Sequence, residues 1–130
     1  MARVAVWFAP LEISRDFIDY PYFADLGAVQ AAAVLRAAGH QVTLHDALAQ
    51  PGSRLTPLAG DRVRLGVDVE TLLAAAPESE VALVAYTPFQ RPPTRDAALA
   101  RLLEHLRREA PERPILLADP YQARPDGGDA

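Results

Sequence analysis

The sequence contains no cysteine. Disulfides, thiolate metal sites, cysteine nucleophiles and thiolate-held iron–sulfur clusters are therefore excluded within these residues. Lysine is absent as well, since all 13 basic residues are arginine. That removes a phosphate-loop lysine, a Schiff-base lysine and the lysine of a receiver domain. An excess of positive charge is missing too, with a formal net charge of -4. Nucleic acid is not an expected partner, because binding it draws on a basic face that neutralises phosphates. No apolar run approaches the roughly 18 residues of a membrane span, and the run at residues 4–10 is too short for a signal peptide. The expectation is a cytoplasmic protein with no membrane partner. No Gly-x-Gly-x-x-Gly follows the first apolar run, so the dinucleotide fingerprint is absent.

What is present is a chain of 130 residues, 50% of them hydrophobic, which suits one domain with a real core. Arg3–Phe8 reads as a strand buried on both faces, because its apolar run is nearly continuous. Residues 11–24 read as a long loop. A helix is expected over 25–38, with Asp25 able to cap its start and Gly39 placed for a left-handed C-terminal cap. Gln41–Asp46 reads as the second strand. Residues 47–67 are broken by Pro51-Gly52 and Pro57, with 61–67 extended. Asp68 then caps a short helix over 69–76 that Pro77 stops. Val81–Ala85 reads as the third strand. Thr94 is the expected N-cap of a helix reaching about residue 110, in which Leu99, Leu102, Leu103 and Leu106 fall on one face. Ile115–Ala118 reads as the fourth strand.

This alternation predicts an α/β fold with a doubly wound parallel sheet, Rossmann-like or flavodoxin-like, with helices on both faces. The expected strand order is 2-1-3-4. A fifth strand, which a flavodoxin-like sheet needs, is missing or supplied elsewhere. The domain is expected to span residues 1–122, with a disordered tail at 123–130 where Pro, Gly and Asp take over.

In open α/β sheets, ligands bind beyond the carboxyl ends of the strands, where strand order reverses. That selects residues 9–22, 46–48, 86–92 and 119–122. Asp46 can hold a ribose hydroxyl or simply terminate its strand. Asp16, Asp19 and Asp25 can gather round a cation or lie solvated. Phe17, Tyr20, Tyr22 and Phe23 can line a planar ligand or fold into a satellite core. His40, His45 and His105 lack metal-ligand spacing. His45, inside a strand, should face one side of the sheet and not its carboxyl edge. Tyr86-Thr87-Pro88-Phe89 is the most site-like segment, a pinned, hydroxyl-bearing turn at a strand end. No catalytic triad or paired-carboxylate spacing stands out, so catalytic and metal-ligating residues are not assigned.

Three stretches taken together resemble the cobalamin-binding domain of B12-dependent radical SAM proteins. The first is Leu26-Gly27 with Ala32-Ala33-Val34-Leu35-Arg36-Ala37-Ala38-Gly39-His40-Gln41-Val42 and Asp46-Ala47. The second is Arg62-Val63-Arg64-Leu65-Gly66-Val67-Asp68, and the third is residues 81–88. The resemblance covers about residues 3–122. It implies a cobalamin-binding module that works, in cis or in trans, with a radical SAM catalytic domain in methyl transfer or related radical chemistry. S-adenosylmethionine and an iron–sulfur cluster would then belong to that domain. It further implies that Pro10, Leu11, Asp46, Ala47, Tyr86, Thr87, Phe89, Asp119, Pro120 and Tyr121 contact the corrin and its tail. The chain departs from the pattern in three places. Ala85 stands where a small hydroxyl residue is expected at the end of the third strand, with Thr87 two positions later. His45 precedes Asp46, so no imidazole follows the second strand to reach cobalt, and Ala118-Asp119 stands where the family has paired glycines. Two other readings remain: a non-binding Rossmann-like docking domain, and an independent flavodoxin-like small-ligand protein.

Overall fold

Five of the six side chains of Arg3–Phe8 are buried, and this strand, β1, lies at the centre of the molecule. The computed structural model describes residues 1–16, 26–74, 78–90 and 96–119. β1 pairs in parallel with β3 (Gln41–Asp46) on one side and with β6 (Val81–Ala85) on the other. β7 (Ile115–Ala118) pairs in parallel with β6, so the sheet runs β3-β1-β6-β7. The register places Val6 between Leu44 and Leu83.

Helix α1 (Leu26–Ala37) connects β1 to β3 by way of a left-handed Gly39, φ +94°. The Gly39 amide donates to the Arg36 carbonyl at 3.0 Å and the His40 amide to Leu35 at 3.2 Å. These bonds satisfy carbonyls that the helix end leaves open, and glycine takes the positive φ without a Cβ penalty. The start of α1 is at Leu26, and Asp25, expected to cap it, lies outside the described residues. Asp68 accepts from the Thr71 amide at 2.8 Å and caps α2 (Val69–Ala74). Helix α3 (Ala97–Glu109) begins later than the sequence suggests. Its cap is Asp96, whose carboxylate accepts the Leu99 amide at 2.8 Å, and not Thr94, which lies outside the described residues. Aspartate is at least as good a cap as threonine and adds a negative charge at the positive helix end.

Side chains alternate across β1. Val4, Val6 and Phe8 pack towards Ala28 of α1, whereas Ala5, Trp7 and Ala9 pack towards Leu72 of α2 and Leu99, Leu102 and Leu106 of α3. The four-stranded parallel sheet is thus flanked by helices on both faces. Among the described residues no helix is long and apolar enough to cross a membrane.

The largest correction concerns residues 11–14 and 55–57, whereas the extended stretch expected at 61–67 contains a strand at 62–65. Leu11–Ser14, expected in a loop, is strand β2. It pairs antiparallel with β5 (Arg62–Leu65), which in turn pairs with β4 (Leu55–Pro57). The result is a second sheet of order β2-β5-β4. Leu11 and Ile13 turn inwards and meet Val63 and Leu65, joining the α1-side core. Pro57 is tolerated because it closes a strand at the sheet's edge. The remainder of the expected loop, including Phe17, Asp19, Tyr20, Tyr22 and Phe23, lies outside the described residues, as does the expected tail at 123–130.

Candidate functional site

β1 ends at Phe8, and two residues later the chain enters β2. The second sheet therefore starts beside the carboxyl edge of the parallel sheet and packs on its α1 side. A chain of backbone bonds joins the two sheets. The Phe8 carbonyl accepts from the Ala47 amide at 3.0 Å, and the Ala47 carbonyl accepts from the Val67 amide at 3.1 Å. Gly66, φ +109°, allows this approach, because a Cβ there would lie 2.9 Å from the Ala47 oxygen. Nearly every real Cβ contact is longer than that, so residue 66 has to be glycine for the two turns to touch.

The strand order brings most of the expected site residues to one edge: Asp46 and Ala47 at the end of β3, Pro10 and Leu11 beyond β1, Tyr86, Thr87 and Phe89 beyond β6, and Asp119 beyond β7. Pro120 and Tyr121 lie outside the described residues. The edge residues differ in exposure. Pro10, Leu11, Asp46, Ala47 and Thr87 are buried, whereas Tyr86 and Asp119 are half-buried. Leu11 belongs to β2 and faces the core. The Asp46 carboxylate turns back and accepts from the Leu48 amide at 2.9 Å, which closes the turn after β3. Phe89 sits in the 3-10 turn Pro88–Gln90. Each of the four parallel strands meets the edge with an alanine, at Ala9, Ala47, Ala85 and Ala118. Ala9, Ala47 and Ala85 are fully buried there, and Ala118 is half-buried.

Strand order reverses between β1 and β6, and a residue that no local sequence pattern singles out occupies that point. Gln90 is 1% exposed. Its side-chain oxygen accepts from the Thr87 amide at 3.0 Å, and its side-chain amide donates to the Ala9 carbonyl at 3.4 Å. Its own backbone amide donates to the Thr87 carbonyl at 2.9 Å. A glutamine among prolines carries no periodicity. Only its spacing of three from Thr87 hints at a closed turn. The Tyr86 amide extends the edge by donating to the Ala118 carbonyl at 3.0 Å.

His45 faces the α2–α3 side of the sheet and stacks on Trp7, with ring centroids 4.4 Å apart and an interplanar angle of 26°. Its Nε2 lies 3.0 Å from the Thr43 hydroxyl. Burial against the sheet holds the imidazole below its ordinary pKa. His40 accepts the Ala2 amide at the amino edge, and His105 pairs with Glu109 at 3.3 Å on α3. Asp16 is exposed, and Asp19 and Asp25 lie outside the described residues. Among the described residues no three His, Asp or Glu side chains converge as a metal centre would require. An open groove of about 420 Å³ between α2 and α3, lined by Val69, Leu73, Arg101 and His105, contains none of the edge residues.

These features define an open-sheet α/β domain with a buried glutamine at its switch point and a small antiparallel annex. The chain matches no protein-family model, no curated protein and no solved structure.

Proposed function

We propose that this chain is a cytoplasmic cobalamin-binding module, working in cis or in trans with a radical SAM catalytic domain in methyl transfer or related radical chemistry. Its sheet is read as a doubly wound one, Rossmann-like or flavodoxin-like, whose fifth strand is missing or supplied elsewhere. The observation that carries the reading is the edge itself. The strand-end residues that the resemblance assigns, Pro10, Leu11, Asp46, Ala47, Tyr86, Thr87 and Asp119, gather at one edge of the parallel sheet. When bound, cobalamin supplies a cobalt able to carry a methyl group.

The chain's residues would act by packing and backbone contact. Pro10, Ala47, Tyr86 and Phe89 would support the ring, and Thr87 and Asp119, with Pro120 and Tyr121, would border the tail. None of the three histidines is placed to ligate cobalt at this edge, since His45 lies on a sheet face, His40 at the amino edge and His105 on a helix. The test is to load the protein with hydroxocobalamin, desalt it, and reduce the cobalt to the paramagnetic divalent state. Protein labelled with nitrogen-15 at histidine should give a resonance spectrum unchanged by the label. A label-dependent hyperfine splitting would show a histidine on cobalt, and failure to retain cobalamin would overturn the reading as a whole.

A second reading, a docking domain that binds no cofactor, is favoured by one observation. β7 is an edge strand with no charged residue, and its Leu116 and Leu117 are 53% and 46% exposed. Natural sheet edges usually carry charge or proline to deter pairing, so an uncharged edge suits a strand that another element covers.

A further inference from the structure

Gln90 is a polar side chain placed at the point where open α/β sheets take their ligands, and it is almost wholly buried there. Its carboxamide contributes one acceptor and one donor. The acceptor is met by the Thr87 amide at 3.0 Å and the donor by the Ala9 carbonyl at 3.4 Å. The β1–β6 junction thus brings together one backbone N–H and one backbone C=O that a single primary carboxamide bridges. We propose that this pair is a ligand subsite for a primary carboxamide and that Gln90 is its built-in occupant, displaced when a ligand bearing that group binds.

The chemistry follows from hydrogen-bond capacity. A carboxylate satisfies the Thr87 N–H but brings no proton to the Ala9 carbonyl, and an ammonium group does the reverse. A tertiary amide likewise lacks the N–H that the Ala9 carbonyl needs. Only a group with both functions replaces Gln90 without leaving a buried backbone atom unpaired, and an unpaired atom carries a full desolvation penalty. The corrin periphery bears several primary carboxamides, so the inference, to the extent that it names cobalamin as the ligand, rests on the reading above. The subsite itself does not depend on that reading. Displacement makes Gln90 a gate in the energetic sense: the ligand's amide gains two hydrogen bonds while the protein gives up the same two. Wild-type protein would therefore bind more weakly than a variant whose backbone pair is already free.

The experiment has two arms. In the first, thermal unfolding of Gln90→Ala is followed with added acetamide and, separately, with N,N-dimethylacetamide. Acetamide should raise the Tm of the variant by about 1–2 °C at a concentration equal to its dissociation constant. It should leave wild type unmoved, and N,N-dimethylacetamide should move neither. Equal responses to the two amides, or none to either, overturn the subsite. Should Gln90→Ala not fold, Gln90→Ser carries the same comparison with a smaller loss of polarity. In the second arm, hydroxocobalamin binding is measured on wild type and variant, and the variant should bind about tenfold more tightly, the worth of roughly two net hydrogen bonds. Rescue by acetamide with no cobalamin bound to either protein upholds the subsite and defeats the cobalamin reading. Cobalamin bound equally by both, with no acetamide rescue, does the reverse.

Discussion

Replacing Gly66 by alanine probes the backbone contact that joins the two sheets. Two costs add. The residue sits at φ +109°, a backbone conformation that side-chain-bearing residues rarely adopt, and holding alanine there costs about 1–3 kcal/mol. The new Cβ would also lie 2.9 Å from the Ala47 oxygen and 3.2 Å from its carbonyl carbon, both backbone atoms that cannot swing aside as a side chain can. Relieving that clash means pushing Ala47 away and weakening the 3.1 Å bond from the Val67 amide, a further loss of about 0.5–1.5 kcal/mol. Reduced freedom of the unfolded chain returns about 0.4–1 kcal/mol. The net expectation is a destabilisation of about 2–3 kcal/mol, or a Tm lower by roughly 10 °C for a domain of this size. Gly60→Ala is the internal control, since Gly60 also has a positive φ, +71°, but nothing lies within 4 Å of the added carbon. It should cost about 1 kcal/mol or less. Urea unfolding of both variants, followed by the fluorescence of the single Trp7, supplies the comparison. Equal destabilisation by the two variants would refute the argument that Gly66 is required by its approach to Ala47.

Three further outcomes follow from the same structure. His45 is held neutral by burial, while in the unfolded chain it titrates near its ordinary 6.5. Its folded pKa is the lower of the two, so its contribution is present above about pH 6.5 and is lost as pH falls towards the folded value. Urea midpoints of wild type should therefore drop between about pH 7.5 and 5.5, and His45→Gln should show a shallower drop. An identical slope in the two proteins would remove His45 from the account. Asp96→Ala takes the cap from α3 and should cost about 1 kcal/mol in the same assay. Asp119→Gly should tighten hydroxocobalamin binding, because a carboxylate beside the tail phosphate is repulsive unless an arginine compensates it. Unchanged affinity on titration would place the tail elsewhere.

Legibility in the sequence followed the length and continuity of each signal. β1, β3, β6 and β7 were readable because a strand in a parallel sheet is an apolar run between punctuating residues, and Gly39 marked the end of α1 without ambiguity. β2 and β4 were not, and β5 was readable only as an extended stretch without a partner, although Leu11-Glu12-Ile13-Ser14 and Arg62-Val63-Arg64-Leu65 both alternate. Each is only four residues or fewer, and the two pair across some fifty intervening residues, a relation that no local pattern encodes. The start of α3 was misplaced because Thr94 and Asp96 are both competent caps, and only the backbone geometry selects between them. Gln90 falls inside the strand-end stretch 86–92, but no local pattern singles it out. Its importance comes from the place where β1 and β6 diverge, which is a property of topology and not of neighbouring residues. The clustering of Asp46, Ala47, Tyr86 and Thr87 was foreseeable from the strand-end rule. That Leu11 faces the core follows from a strand the rule did not include.

The central claim is that the carboxyl edge of the sheet holds cobalamin. Equilibrium dialysis of the purified chain against hydroxocobalamin, read from the visible spectrum of each compartment, tests it most directly. The account predicts saturable uptake reaching one equivalent per chain, weakened by Thr87→Trp, which would crowd the edge. Equal cobalamin on both sides of the membrane at every concentration would contradict it and leave the docking domain as the better description.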